Sequence, residues 1–304
     1  MYFPISGTHL DPLVLVLLGF VVGVLGGFFG VGGSFLAGPA LFAMGVPFNF
    51  VVGTDLLHIV GKSLVAAREH HVLGHVDVKL AALMVAGTIA GSETGVQAIE
   101  YLKQGAHVNF VVGVVSILVF ALIGIFAVFE GWTALQLHRS GAQESGREKD
   151  RVAFGFFARA MEGIHRLPPH VRLKQSGIES ISIWSIVLVS MIGGLFSGFL
   201  GGGAGYIRMP CLVYLLGIPT HVAVGTDLFE IIISAGYGAV RHAMNGNVDI
   251  LIALVMQTGA AIGAQTGANL TQYFSGPRIR LAFAPLPILG AILVTQKLLS
   301  GGGH

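Results

Sequence analysis

Ionisable side chains interrupt four apolar segments of this chain, where their charge is costly. They are Asp55, His58, Lys62, Glu93, Arg208, Asp227 and Glu230. A charged residue inside a membrane span generally faces a polar cavity, pairs with another charge, or takes part in ion or proton movement. The acids and the histidine are therefore candidates for proton transfer. Lys62 and Arg208 are candidates for holding an anion, although either could pair with an acid, and Arg208 could extend to the surface.

Two glycine-rich turns, at residues 30–34 and 201–205, each stand just ahead of a short apolar segment with an internal proline. A helix that begins inside a membrane directs unpaired N–H groups and the positive end of its dipole toward the cavity before it. The candidate anion-binding positions in these turns are Gly32, Gly33, Ser34, Gly203, Ala204 and Gly205. The glycines could instead serve only close helix packing. The duplication favours the binding site.

The tripeptide Gly-Thr-Asp follows each turn, at residues 53–55 and 225–227. We predict that the hydroxyls of Thr54 and Thr226 bind the anion. Asp55 and Asp227 either cap a helix N-terminus, as this residue type often does, or bind a proton, because they fall inside apolar sequence.

The composition is that of a membrane protein. Of the 304 residues, 54% are hydrophobic and 11% are charged, against about 25% charged in a typical soluble domain. The first apolar run follows a segment without Lys or Arg and is interpreted as a retained span, not a cleaved leader. The positive charges concentrate in one segment instead of along a groove, so no nucleic-acid partner is predicted. The single cysteine, Cys211, excludes intramolecular disulfides and multi-thiolate metal centres.

Apolar segments predict an all-α polytopic fold with five segments in each half. The candidate spans are residues 11–30, 34–46, 50–68, 77–98, 107–130, 181–200, 205–217, 221–241, 248–270 and 279–299. A helix needs about 20 apolar residues to cross the hydrocarbon core. The second segment of each half is shorter and contains a proline, so we expect it to be broken or re-entrant. Eight crossings remain the alternative to ten.

The two halves repeat each other with an offset of about 171 residues. Residues 74–77 match 246–249, and residues 87–95 match 259–267. An odd number of crossings per repeat requires opposite orientations in the membrane, which is the inverted-repeat plan of many secondary transporters. We therefore divide the chain into a first transmembrane repeat, residues 1–130, a loop, residues 131–180, and a second repeat, residues 181–304.

Some polar positions differ between the repeats. His58 aligns with Glu230, and Glu93 aligns with Gln265. These differences predict an asymmetric site at the meeting point of the two halves.

The loop at residues 131–180 holds eight of the seventeen Lys and Arg residues, so the positive-inside rule places it in the cytoplasm and both termini outside. Its apolar residues Phe154, Phe157, Met161 and Ile164 recur at helical spacing. They predict either a short interfacial helix, a partner-binding helix or a simple loop turn.

Two further polar features have structural explanations. Asp77 and Asp249 each directly precede an apolar helix and are predicted to be N-caps. His70, His71 and His75 have spacing that would permit metal binding, but the second half does not repeat the set. No metal or other cofactor is predicted.

These motifs, in this order and duplicated, resemble the sulfite exporter TauE/SafE family of membrane permeases. The resemblance rests on the glycine-rich turn followed by proline, the Gly-Thr pair, and the Gly-x-Val-Asp sequence before the next helix. It covers residues 11–130 and 181–299. The family often has Ser or Asn after Gly-Thr, where this chain has Asp55 and Asp227.

The resemblance implies export of a small sulfur-containing anion, such as sulfite or an organosulfonate, across the bacterial plasma membrane, coupled to protons. The expected partners are that anion, protons and the lipid bilayer. An anion channel would use the same helix dipoles but would need a continuous polar pore. An intramembrane enzyme is disfavoured, because no nucleophile with a neighbouring base repeats at a fixed spacing.

Overall fold

A computed structural model describes residues 1–103, 108–139, 163–201, 205–283 and 285–300. The first half contains a two-stranded hairpin, β1 (Tyr2–Phe3) and β2 (Thr8–His9), followed by five helices. The helices are α1 (Pro12–Phe29), α2 (Ser34–Ala43), α3 (Phe48–Val72), α4 (Val78–Lys103) and α5 (Val108–Arg139).

The second half has a similar order, with a π-helix and one more α-helix. It opens with a second hairpin, β3 (His170–Leu173) and β4 (Ile178–Ser182). The following elements are α6 (Ile183–Leu200), α7 (Gly205–Pro210), a π-helix (Cys211–Leu215), α8 (Thr220–Met244), α9 (Ile250–Thr271), α10 (Gly276–Phe283) and α11 (Pro285–Leu299).

Six helical segments of the described chain are long and apolar enough to cross a membrane. They are Pro12–Phe29, Phe48–Val72, Ile183–Leu200, Thr220–Met244, Ile250–Thr271 and Leu281–Leu299. The helical content and these spans confirm the prediction of an all-α polytopic membrane protein. The two hairpins are the only sheets in the described part of the chain, and neither closes on itself.

Each half packs its first helix against the fourth helix of the other half. Gly19 and Gly23 of α1 contact the backbone of Met256 and Ala260 of α9, so the two helices run parallel at short range. The backbones approach closely because glycine has no Cβ, and any larger residue would meet a carbonyl. α4 and α6 pack the same way, with Gly91 against Met191. α3 and α8 pack between these pairs.

Each hairpin forms hydrogen bonds with the N-terminus of a helix in the opposite half. The backbone N–H and hydroxyl of Ser6 donate to Asp249 Oδ2 at the start of α9, at 3.1 and 2.7 Å. Ser176 makes the same two bonds to Asp77 Oδ2 at the start of α4, at 3.2 and 2.8 Å. The other carboxylate oxygen of each aspartate accepts from backbone N–H groups of its own helix. The N-cap prediction for Asp77 and Asp249 is therefore confirmed.

The region between the halves differs from the expectation in two places. Residues 131–139, expected in the loop, continue α5 as far as Arg139. The loop's last residues, 170–180, fall in the second hairpin, which the sequence pattern did not indicate. Phe154, Phe157 and Met161 of the expected interfacial helix lie outside the described residues, and Ile164 lies in a single helical turn.

Candidate functional site

The two glycine turns end their helices in the left-handed conformation that favours glycine. α1 ends at Gly30 with φ 74°, and α6 ends at Gly201 with φ 81°. Gly33, with φ 74°, is the N-cap of α2. These angles let the chain reverse sharply without the steric cost that a side chain would add.

The structure brings the two turns together. A Cβ added to Gly205, the first residue of α7, would lie 2.5 Å from the Cα of Val31 in the other turn. It would also lie 2.7 Å from Oδ2 of Asp227. Gly32 lies in the first turn, next to the N-cap Gly33. The side chain of Ser34, and residues Gly203 and Ala204 entirely, lie outside the described part of the chain.

Arg208 of α7 joins two carboxylates of α8 in a fully buried cluster. Its Nε lies 2.6 Å from Asp227 Oδ1, and its Nη1 lies 2.5 Å from Glu230 Oε2. The Nη1 group also donates to Thr88 Oγ1 of α4 at 3.0 Å, and Ser234 donates to Glu230 at 3.1 Å. All three charged side chains are 0% exposed. Arg208 therefore does not extend to the surface; it pairs with acids.

A second buried cluster occupies the related position in the first half. Asp55 Oδ1 lies 3.6 Å from His58 Nδ1 and 4.0 Å from Lys62 Nζ, and the lysine lies 3.2 Å from the same histidine nitrogen. Among the described residues, neither oxygen of Asp55 has a hydrogen-bond partner. The pairing of Lys62 with Asp55, one of the alternatives left open above, is the one observed.

The two clusters differ in which helix carries the positively charged residue. Arg208 lies on the short helix of its half, at the position where the first half has Ala37. Lys62 lies on the long helix α3, at the position where the second half has Ser234. The alignment of His58 with Glu230 predicts an asymmetric site. In the structure the two clusters are asymmetric in a second way, because their positively charged residue lies on a different helix in each half.

Thr54 and Thr226 connect the two halves. Thr54 Oγ1 accepts from the backbone N–H of Asp249 at 2.8 Å, and Thr226 Oγ1 accepts from that of Asp77 at 2.9 Å. Each hydroxyl thus fixes the start of a helix in the opposite half. The capping role considered for Asp55 and Asp227 is wrong, because the N-caps of α3 and α8 are Pro47 and Pro219, well before the aspartates.

Glu93 lies in a separate, partly exposed contact. Arg241 of α8 binds it through two hydrogen bonds of 2.8 and 2.7 Å, and Tyr237 donates to it at 2.6 Å. The side chains of Arg241 and Glu93 are 29% and 26% exposed. This bidentate ion pair links α4 to α8.

The histidines form a cluster near the start of α8. The Nδ1 atoms of His70 and His75 lie 3.3 Å apart, and the rings of His75 and His221 are 5.2 Å apart. Within the residues that the structure describes, no group of three or more His, Cys, Asp or Glu side chains has a geometry that could hold a metal. Burial lowers the pKa of His75, which lies in the loop before α4, and the nearby His221 lowers it further.

Five polar residues of these clusters were not singled out from the sequence. They are Thr88, His221, Ser234, Tyr237 and Arg241. A sixth is Gln257 of α9. Its amide, oriented to satisfy both groups, donates to the His58 carbonyl at 3.0 Å and accepts from the backbone N–H of Lys62 at 3.2 Å. Gln257 and Arg241 are polar residues in apolar helices and could have been found by the same rule that identified Lys62. Threonine and serine are common in membrane helices and give no such signal.

Comparison with known proteins places the chain in a family context. The family model described as "Sulfite exporter TauE/SafE" matches residues 15–294. "Probable membrane transporter protein YunE" of Bacillus subtilis (strain 168) is 26% identical over 297 residues, covering 95% of this chain and 99% of that protein. "Probable membrane transporter protein MJ0441" of Methanocaldococcus jannaschii is 23% identical, over 92% of this chain and 94% of its own length.

A shorter match has higher identity. "Probable membrane transporter protein YdhB" of Bacillus subtilis (strain 168) is 35% identical over 114 residues, which cover 37% of this chain and 46% of that protein. The comparison with solved structures returned no match.

Proposed function

Because this chain belongs to the sulfite exporter TauE/SafE family, we propose that it is a secondary transporter that exports sulfite or an organosulfonate across the bacterial plasma membrane. The family and its relatives are membrane transporters, and the helices make this a multi-pass membrane protein. The observation that supports the proposal most directly is the contact between Gly205 and Val31, which joins the two glycine turns beside a buried arginine.

The transport mechanism in this proposal is alternating access between two inverted repeats. The contacts support it, because the equivalent helices α3 and α8 pack antiparallel. A Cβ added to Gly53, near the start of α3, would lie 2.8 Å from the Cβ of His242 near the end of α8, and one added to Gly225 would lie 3.1 Å from the Cβ of His70 near the end of α3. Helices that are equivalent in the two repeats would then point in opposite directions, as in other transporters with inverted repeats. In this proposal the positive loop of residues 131–180 and the start of α6 lie in the cytoplasm, with both termini outside.

The anion site of the proposal lies where α7 begins. The backbone of residues 32–34 and 203–205 and the hydroxyl of Thr226 would donate hydrogen bonds, and Arg208 or Lys62 would supply positive charge. The prediction that Thr54 shares this site is not supported, because Gly53 packs against His242 and Gly225 against His70, which places Thr54 and Thr226 toward opposite ends of the α3–α8 pair. The carboxylates and His58 would transfer protons. Arg208, Asp227 and Glu230 are 0% exposed, which supports a carrier that occludes its site and not an open channel.

The test is flux of ³⁵S-labelled sulfite into proteoliposomes, with protein-free liposomes measured in parallel. We expect protein-dependent uptake that unlabelled organosulfonates reduce by competition. Arg208→Gln should lower it strongly, whereas Arg172→Gln should not, because the Arg172 side chain is 66% exposed. Absence of protein-dependent flux for every sulfur anion would remove the substrate assignment.

A further inference from the structure

The buried cluster around Arg208 has more negative than positive groups. One guanidinium faces two carboxylates, Asp227 at 2.6 Å and Glu230 at 2.5 Å, and all three are 0% exposed. With both acids ionised the cluster would hold one uncompensated negative charge, which is strongly unfavourable away from water. One proton bound by the acid pair makes the cluster neutral.

Among the residues that the structure describes, the neighbouring helices do not supply the missing positive charge. On α3, the ionisable residues nearest the middle of the helix are Asp55, His58 and Lys62, which are bound to one another. His70, further along α3, donates to the Gly27 carbonyl at 2.9 Å. The sequences of α1 and α6 contain no ionisable side chain.

The remaining elements around α8 bring groups that are already engaged or uncharged. On α4, Glu93 is bound by Arg241, and Glu100 accepts a hydrogen bond from Asn247 at 2.6 Å. The π-helix contributes Cys211 and Tyr214, whose side chains cannot carry a positive charge. Arg208 is thus the cation that faces the acid pair.

An incoming anion that binds Arg208 must share the guanidinium with the two carboxylates or displace one of them. The Nε and Nη1 groups are engaged with Asp227, Glu230 and the hydroxyl of Thr88. A displaced carboxylate that stayed ionised would repel the anion in a medium that screens charge poorly. Binding of a monovalent anion therefore requires a second proton on the acid pair, which again leaves the cluster neutral.

We propose that Arg208, Asp227 and Glu230 form the coupling site of the transporter and that one proton crosses the membrane together with each monovalent anion. This inference rests on the proposed transport function. In each transport cycle the cluster crosses the membrane with two protons when the anion is bound and returns with one proton when it is empty. The net movement is therefore one proton with one anion, without net charge. The proton and the anion enter from the water on one side of the membrane and leave to the water on the other side. Anion and proton raise each other's affinity by the same factor.

The coupling determines how the direction of anion transport depends on the anion and proton gradients across the membrane. An acidic exterior drives the anion inward, and export proceeds only while the internal excess of anion outweighs the proton gradient. A carrier that exchanged the anion for a proton would show the opposite dependence.

The experiment uses the full-length protein in proteoliposomes that contain a trapped pH-sensitive dye. The substrate is a ³⁵S-labelled organosulfonate, whose charge stays fixed over the pH range used. We expect an acidic exterior to concentrate the sulfonate inside, up to about tenfold per pH unit of gradient for one coupled proton. We also expect an inward sulfonate gradient to acidify the interior, and a potassium–valinomycin potential to leave the wild-type uptake unchanged.

The double variant Asp227→Asn/Glu230→Gln should abolish proton movement with the anion and make uptake sensitive to membrane potential, because no acid then remains beside Arg208 to bind a proton. Glu179→Gln is its matched control, because Glu179 is 89% exposed in a hairpin. Sulfonate flux that ignores the pH gradient, or that an acidic exterior opposes, would overturn the coupling and leave the transport function standing. Absence of flux for all sulfur anions would overturn both. The wild-type measurements decide the question even if the variant fails to fold.

Discussion

Arg208 Nε lies 2.6 Å from Asp227 Oδ1 in a position with no exposure to solvent, and the first half of the chain has Ala37 where the second has Arg208. The two repeats therefore share a backbone plan but not a charge distribution. The first half balances Asp55 with Lys62, and the second sets one arginine against two acids. That difference supports assigning anion binding and proton coupling mainly to the second half.

Removing the arginine should destabilise the protein. Arg208→Ala leaves Asp227 and Glu230 buried without a cation, and breaking a buried pair in this way typically costs about 3–5 kcal/mol. We expect a clear fall in Tm in detergent. Adding Asp227→Asn and Glu230→Gln to the same protein should recover part of the loss, because no unpaired charge then remains buried.

The matched control for this variant is Arg172→Ala. Its partner Glu179 lies 3.9 Å away, and both side chains are largely exposed, so the pair should contribute little. Equal losses of Tm for the two arginine variants would contradict the assignment of a buried ionic cluster.

A glycine of α6 controls the position of the same arginine. A Cβ added to Gly193 would lie 2.9 Å from both Cγ and Cδ of Arg208, closer than side-chain atoms normally approach. Gly193→Ala should therefore displace the guanidinium and reduce sulfite flux more than it reduces Tm. Gly163→Ala, where the added Cβ meets no atom within 4 Å, serves as the control and should change neither. Normal flux with Gly193→Ala would argue against a role for Arg208 in transport.

The two threonine contacts give a test of the links between the halves. Thr226→Val keeps the side-chain shape but removes the acceptor of the buried Asp77 N–H, which should cost about 1–3 kcal/mol. Thr54→Val should have a similar cost at Asp249, and Ser at either position should retain most of the stability.

Thr258→Val is the control, since the Thr258 hydroxyl is exposed and, among the described residues, donates to the Val255 carbonyl of its own helix. Thermal unfolding measures the structural effect, and KM for sulfite measures the proposed contact with substrate. If Thr226→Val altered neither quantity, both roles of the hydroxyl would be refuted.

Local features of this fold could be predicted from the sequence. The spans follow from apolar runs, and the N-caps at Asp77 and Asp249 follow from a polar residue directly before an apolar helix. The sharp turns at Gly30 and Gly201 follow from glycines that end apolar segments. Each of these depends on residues close together in the chain.

Pairings between distant residues could not be predicted in the same way. The contact of Arg241 with Glu93 joins residues 148 apart, and that of Ser6 with Asp249 joins residues 243 apart. The hairpin strands β1 and β2 are two residues long, too short to show an alternating pattern. The sequence identified the ionisable residues, and only the packing of the helices determined which charges meet.

The histidine cluster predicts a pH dependence of stability. The pKa of His75 is lowered from its ordinary value of 6.5, so the unfolded chain binds the proton more readily than the folded protein does. The stability due to neutral His75 is present above about pH 6.5 and is lost as the pH falls below that value. We expect His75→Asn to reduce the fall in Tm between about pH 7 and about pH 5. Asparagine is a reasonable substitute, since Asn247 occupies the equivalent position in the second half.

His71→Asn is the control for this prediction, because His71 is exposed and makes no contact with His70 or His221 among the hydrogen bonds and ring contacts of the described residues. An unchanged pH profile of Tm in His75→Asn would show that this histidine does not titrate with unfolding.

The most direct test of the transport account is counterflow. Proteoliposomes are preloaded with unlabelled sulfite and diluted into buffer with a trace of ³⁵S-labelled sulfite at equal pH on both sides. Because an alternating-access carrier returns loaded, we predict a transient accumulation of label above its equilibrium level, which then decays. Label that rises to equilibrium without an overshoot would indicate a channel, and label that does not enter would contradict sulfite as the substrate.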